Sequence, residues 1–228
     1  MMAERLATLL ETIKEETRAS GRKDEVQLMA VSKTHPLEAV LEAVACGQLL
    51  FGENRVQEIE SKFPPTRDTY QLHMIGHLQS NKVKKVVPLV DAIDSIDSLR
   101  LARLVSRHAL ALDKVMPVLL EVNTSGEAAK VGFTSEKSYY ELLDEAHNLP
   151  GIAIKGLMTI GPLSDNEKEV RQAFAQLRKI SEESKVRYPE LCFDTLSMGM
   201  SQDFLWAIKE GSTMVRIGTT IFGRRDYQ

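Results

Sequence analysis

The sequence predicts an α/β fold, a closed (β/α)8 barrel of the TIM type with one extra helix ahead of the first strand. Three observations carry this expectation. Short apolar runs alternate with segments of helical period along the whole chain, and strand–helix alternation builds a parallel sheet. Most of the runs are continuously apolar, as strands are when helices cover a sheet. About eight such units fit into 228 residues, near the small end of the usual barrel range of ~200–400. A doubly wound open sheet is the alternative, because periodicity does not say whether the sheet closes.

The elements follow in order. Leu6, Leu9, Leu10 and Ile13 fall on one helical stripe, and Gly21 stops that helix. The first strand run is Val26–Val31, ending in Ser-Lys-Thr-His-Pro. Pro36 suits the first turn of the next helix, whose stripe is Leu37, Val40, Leu41 and Val44 and which Gly47 closes. Further strand runs are Leu49–Gly52, Leu72–Gly76, Leu89–Ile93, Met116–Val122, Ile152–Met158, Leu191–Leu196 and Met214–Ile217. Helical stripes lie between them, among them Tyr139, Leu142, Leu143 and Ala146, and Val170, Phe174 and Leu177. No linker or low-complexity tract divides residues 1–228, so one domain is expected.

Composition narrows the function. Net charge is −3 and the isoelectric point is near 6.0, so no global field draws in nucleic acid. No apolar run approaches the ~18–20 residues that cross a bilayer, and the N-terminus reads as neither a signal nor a transit peptide. Cys46 and Cys192 form no secreted framework or metal site and are expected to be buried fillers. A cytoplasmic protein follows as the expectation.

Barrel enzymes and binding proteins gather their chemistry at the C-terminal ends of the strands. Lys33 ends the first apolar run. Partial desolvation there favours a neutral amine, the form that attacks an aldehyde to give a Schiff base; the plain alternative is a lysine reaching into solvent. Gly218 and Thr219 follow the last run, where barrels often bind phosphate. Ser197 and Met198 end the seventh run and offer N–H groups to complete a phosphate cup. Ser201, with Asp203 behind it, reads as the N-cap of the next helix; two ordinary turns are the alternative to the cup. Arg216 shares a strand face with Gly218, and pairs either with a carboxylate such as Glu121 or with a ligand acceptor. His73 and His77 have no partner at metal-ligand spacing, so no metal is expected. His108 reads as a boundary residue, His35 and His147 as surface residues, and Lys82, Lys84 and Lys85 as a solvated helix face.

Several segments resemble one family over essentially the whole chain. They are Ala-Val-Ser-Lys-Thr (30–34), Phe-Gly-Glu-Asn-Arg-Val-Gln-Glu (51–58), His-Met-Ile-Gly-His-Leu-Gln-Ser-Asn-Lys (73–82), Gly-Leu-Met-Thr-Ile (156–160), Leu-Ser-Met-Gly-Met-Ser-Gln-Asp (196–203) and Val-Arg-Ile-Gly-Thr-Thr-Ile-Phe-Gly (215–223). In these the chain resembles the pyridoxal phosphate homeostasis proteins, whose barrel is similar to the N-terminal domain of alanine racemase. The resemblance implies that pyridoxal 5′-phosphate (PLP) is bound. It implies Lys33 as the Schiff-base lysine, and Ser197, Gly218, Thr219 and, less directly, the backbone of Met198 as phosphate ligands. Arg216 would face the pyridine nitrogen, with Asn54 and His77 near the ring.

An arginine at the ring nitrogen favours the unprotonated ring and so a weaker electron sink than a carboxylate partner secures. Alanine racemase also relies on a second domain that supplies a catalytic tyrosine; no such domain is expected after strand eight here, and Tyr227 is not expected to act as a proton donor. The expectation is therefore a monomeric, non-enzymatic carrier of PLP serving PLP-dependent apoenzymes. A weak amino-acid racemase is the alternative, and a Schiff-base aldolase acting on a sugar phosphate is a remoter one.

Overall fold

In a computed structural model, which describes residues 1–127 and 131–223, eight parallel strands close into a barrel in chain order. Tyr227 and the side chain of His147 lie outside the described residues. Helix α1 (Met2–Ala19) precedes β1 (Gln27–Val31), and then come α2 (Leu37–Ala45), β2 (Leu50–Glu53), α3 (Val56–Lys62), β3 (Gln71–Met74), α4 (Val83–Val86) and β4 (Ala92–Ile96). The second half runs α5 (Leu99–Leu110), β5 (Met116–Glu121), α6 (Glu136–Glu145), β6 (Ile152–Met158), α7 (Glu167–Arg187), β7 (Thr195–Ser197), α8 (Phe204–Lys209), β8 (Met214–Ile217) and α9 (Thr219–Phe222). Closure comes from β8 pairing with β1, with Ala30 opposite Ile217.

Helix α1 packs on the outside against α8 and α9. It buries Met2, Leu6, Leu9, Ile13 and Thr17 and leaves Leu10 exposed, so the buried stripe runs one residue to the side of the expected one. In α2 the same shift buries Val40 and Ala43 and exposes Leu41. Asp203, not Ser201, is the N-cap of α8, and its carboxylate accepts the Met200 N–H instead of a helix N–H.

The apolar side chains form two bodies. The larger lies between the sheet and the helices. The smaller consists of Met29, Val31, Ile75 and Met214, with Leu50 against it. Gly52 identifies this second body as the lumen, because a Cβ there would strike Met29 of β1 and Ile75 just past β3 together. Much of the rest of the interior is polar: Asp94, Glu121, Ser197 and Arg216 are all buried. That polarity moves two strands away from where apolar runs predict them. β4 is Ala92–Ile96 and includes Asp94 and Ser95, whereas Leu89 and Val90 precede it. β7 is Thr195–Ser197, and the buried Phe193 lies in the approach to it. The cysteines are corrected also: Cys46 caps α2 in an exposed position, and Cys192 is half-buried. Among the described residues no helix is long and apolar enough to cross a membrane.

Candidate functional site at the C-terminal mouth of the barrel

Lys33 leaves β1 half-buried, one residue past the fully buried Ser32. Since β8 closes against β1, the exits of the first and last strands are neighbours. Lys33, Asn54, Arg216, Gly218 and Thr219 line one cavity that opens to solvent. Gly218 is required for this closeness, because a Cβ there would lie 2.8 Å from the Val31 carbonyl oxygen. Thr219 begins α9 directly after it, and the Ile221 and Phe222 N–H groups both donate back to the Gly218 carbonyl at 2.9 Å.

Arg216 forms the floor. Its Nη1 donates to Ser197 Oγ at 2.7 Å and its Nη2 to the Thr159 carbonyl at 2.8 Å. Burial lowers the guanidinium pKa, while Asp94, Glu121 and Asp203 oppose that shift. These hydrogen bonds hold the arginine, and Glu121 acts on it through the interior field; its own Oε2 has no hydrogen-bond partner. Burial pushes the Glu121 carboxyl up to about 7, with Arg216 opposing and Asp97 reinforcing the rise.

The remaining predicted site residues lie behind or beside the cavity wall. Ser197 is buried beneath Arg216 with its hydroxyl accepting from it. Met198 is fully buried, and its N–H donates to the Met214 carbonyl at 3.1 Å. That engagement withdraws the Met198 N–H from the expected phosphate cup. His77 stands at the exit of β3, half exposed, with Nδ1 3.2 Å from Asp97 Oδ2. Gly76 before it packs onto Asn54, where a Cβ would come within 2.3 Å of the Asn54 carbonyl oxygen. His35 is half-buried and its ring stacks on Phe222 of α9 at 5.0 Å, in place of the expected surface position.

Sequence reasoning missed the upper wall. Ile160, Gly161, Pro162, Leu163, Ser164 and Asp165 follow β6, and Gln202 and Trp206 come from the β7–α8 side. The Gly161-Pro162 pair just past an apolar run was the available signal. Also outside the expected set is a network under Lys33, in which Glu58 and Lys62 hold the backbone of residues 32–35 and Glu53 accepts from the Ser32 hydroxyl. A second, smaller cavity opens at the opposite mouth beside Gln27, Gln71, His73 and Asp94. His73 contacts Asp94 there at 3.1 Å. The strand ends carrying Lys33 and Gly218 are at the other mouth, so the chemistry is placed with them. Among the described residues no group of three metal-ligating side chains gathers.

Known proteins agree with this architecture. The family described as alanine racemase, N-terminal domain, matches residues 5–226. The pyridoxal phosphate homeostasis protein of Vibrio alginolyticus is 42% identical over 219 residues, which cover 93% of this chain and 92% of that protein. The protein of the same name from Aquifex aeolicus is 41% identical, over 98% of both chains. PipY of Synechococcus elongatus, solved with PLP bound, superposes with a TM-score of 0.84 at 38% identity, covering 98% of this chain and 100% of that one. Alanine racemase of Clostridium difficile shares the fold, with a TM-score of 0.70 at 14% identity over 96% of this chain and 56% of that one. With a lysine at the first strand exit, a glycine–threonine turn at the last, and relatives this similar over nearly the full length, the chain belongs to the pyridoxal phosphate homeostasis protein family.

Proposed function

We propose that this chain binds PLP as a Schiff base on Lys33 and serves PLP homeostasis and delivery in the cytoplasm, without significant catalysis. The observation that carries the reading is the meeting of Lys33 with Gly218, Thr219 and Arg216 in one cavity. The donors there suit the ligand's three ends. Lys33 offers an amine to the aldehyde, the Gly218–Thr219 turn offers N–H and hydroxyl donors to the phosphate, and Arg216 offers a donor to the ring nitrogen. When bound, PLP supplies a reactive aldehyde and an electron-withdrawing ring. Asn54 lies beside the ring in this reading and His77 outside it. Ser197 and Met198 act from behind, Ser197 by fixing Arg216.

Two features support holding over turnover. A guanidinium has donors and no acceptor, so Arg216 keeps the ring nitrogen unprotonated and the electron sink weak. Among the described residues, the lining of the cavity contains no tyrosine or histidine, and of its two carboxylates, Asp165 and Asp203, the latter is engaged by the Met200 N–H. A monomer that passes PLP to apoenzymes is the form proposed.

The test is the visible spectrum of the purified protein before and after borohydride reduction, with peptide mass mapping. A yellow band that reduction fixes as a phosphopyridoxyl group on Lys33 is the expected result, lost in Lys33→Ala. A full band in that variant overturns the assignment of Lys33. Racemisation of an amino acid by the loaded protein overturns the non-catalytic half of the proposal.

A further inference from the structure

The turn that carries Lys33 is gripped from behind by one face of α3. Thr34 has φ of 67°, in the left-handed region that β-branched residues rarely adopt. Its N–H donates to Glu58 Oε2 at 2.7 Å. Lys62, one helical turn further along, donates from Nζ to the carbonyls of Ser32 at 2.8 Å and His35 at 3.1 Å. Lys62 also pairs with Glu53, whose Oε1 accepts from Ser32 Oγ at 2.7 Å. Glu53 is fully buried, so this group is a fixed anchor at the end of β2. Residues at i and i+4 share a helix face, and here that face holds the residues immediately before and after Lys33. Neither Glu58 nor Lys62 lines the cavity.

We infer that α3, through Glu58 and Lys62, is a positioning clamp for the Lys33 amine, setting how readily it bonds to an aldehyde without touching the ligand. The inference rests on the reading of Lys33 given above. In the step it serves, the lysine nitrogen bonds to the aldehyde carbon and the aldehyde oxygen leaves as water, the amine's two protons accounting for that water. Glu58 keeps Thr34 in a conformation it would otherwise leave, and the direction of the Lys33 side chain follows from that turn. Phosphate anchoring belongs to β8 and α9 in that reading, whereas Glu58 and Lys62 direct their hydrogen bonds to residues 32–35 and Glu53. The clamp therefore governs the covalent end of the site and leaves the anchored end alone.

The experiment titrates the full chain, stripped of PLP, with PLP and with pyridoxine 5′-phosphate, which carries an alcohol in place of the aldehyde and forms no bond to lysine. Glu58 is half-buried at the surface, so Glu58→Ala spares the core and leaves Lys62 and the His35 stack in place. That variant is expected to lose roughly ten-fold in PLP affinity, the worth of one charge-assisted hydrogen bond, with pyridoxine 5′-phosphate unaffected. Adding Thr34→Gly restores PLP binding, because glycine takes a positive φ without strain. Glu58→Gln keeps an acceptor without the charge and shows the same asymmetry on a smaller scale, so the test stands if the alanine variant fails to fold. Equal weakening of both ligands, no weakening at all, or failure of glycine to restore binding overturns the clamp. If the wild-type chain forms no bond with PLP, the Lys33 reading falls and the clamp with it. If it does and Glu58→Ala binds PLP as tightly, only the clamp falls.

Discussion

Replacing Glu121 with glutamine is expected to stabilise the ligand-free protein at alkaline pH and to change it little in acid. Glu121 closes β5 at 4% exposure, and its Oε2 has no hydrogen-bond partner. Burial pushes its carboxyl from 4.5 to about 7. The unfolded chain thus loses this proton near pH 4.5, while the folded chain keeps it to about pH 7. Between those values the folded state binds the extra proton, so stability falls as pH rises. Above the upper value the accumulated penalty is about 3 kcal/mol. Glutamine has nearly the same volume and never ionises, so it escapes that loss. In acid both side chains are neutral, and rearranged hydrogen bonds change stability by about 1 kcal/mol at most. Urea unfolding of both proteins at several pH values from about 5 to about 8 should show the variant gaining about 2–3 kcal/mol on the wild type across the range. A difference constant with pH, or one that grows in favour of the wild type, refutes the reasoning: it means that Glu121 is ionised in the folded protein and held by Arg216.

Three further outcomes are expected. On the proposed function, Thr219→Ala removes a phosphate hydrogen bond worth about 1.5–3 kcal/mol and speeds PLP release roughly ten- to hundred-fold, measured by transfer to a trapping apoenzyme; an unchanged off-rate moves the phosphate elsewhere. Gly156→Ala places a Cβ 1.9 Å from the Thr195 carbonyl oxygen at a φ of 150°, forcing β6 from β7 at a cost of roughly 3 kcal/mol; a melting temperature equal to the wild type's contradicts this. His73 is half-buried, and the desolvation disfavours its cation, yet Asp94 at 3.1 Å outweighs it and raises the His73 pKa above 6.5. Its stabilisation is therefore full below pH 6.5 and is lost as pH rises through the raised value. His73→Asn should accordingly cost more near pH 6 than near pH 8.5, and equal costs at the two would sink the assignment.

Local pattern carried much of the fold. Met116–Glu121, Ile152–Met158 and Met214–Ile217 lie within a residue of their apolar runs, because their outward faces meet helices and the buried polar residues Glu121 and Arg216 fall at or next to the ends of β5 and β8. β4 and β7 were displaced for the converse reason: Asp94 and Ser197 point into a polar lumen, which no apolar-run criterion anticipates. The expectation of two buried cysteines failed because burial at Cys46 depends on where a helix cap points and not on the residue's own hydrophobicity.

The site divides in the same way. Lys33, Arg216, Gly218 and Thr219 were legible because they stand directly past strands, where residue type and position alone suggest an amine, a cation and a phosphate turn. Their meeting was not legible, since residues 33 and 218 are separated by nearly the whole chain and adjoin only because β8 pairs with β1. The loop of Ile160–Asp165 left only the Gly161-Pro162 pair as a local signal, and the grip of Glu58 and Lys62 on residues 32–35 left none. Periodicity and residue chemistry act over a few residues and so determined the elements and the reactive groups at their ends. Barrel closure, the polar lumen and the left-handed turn at Thr34 are products of long-range packing, and only the tertiary structure decided them.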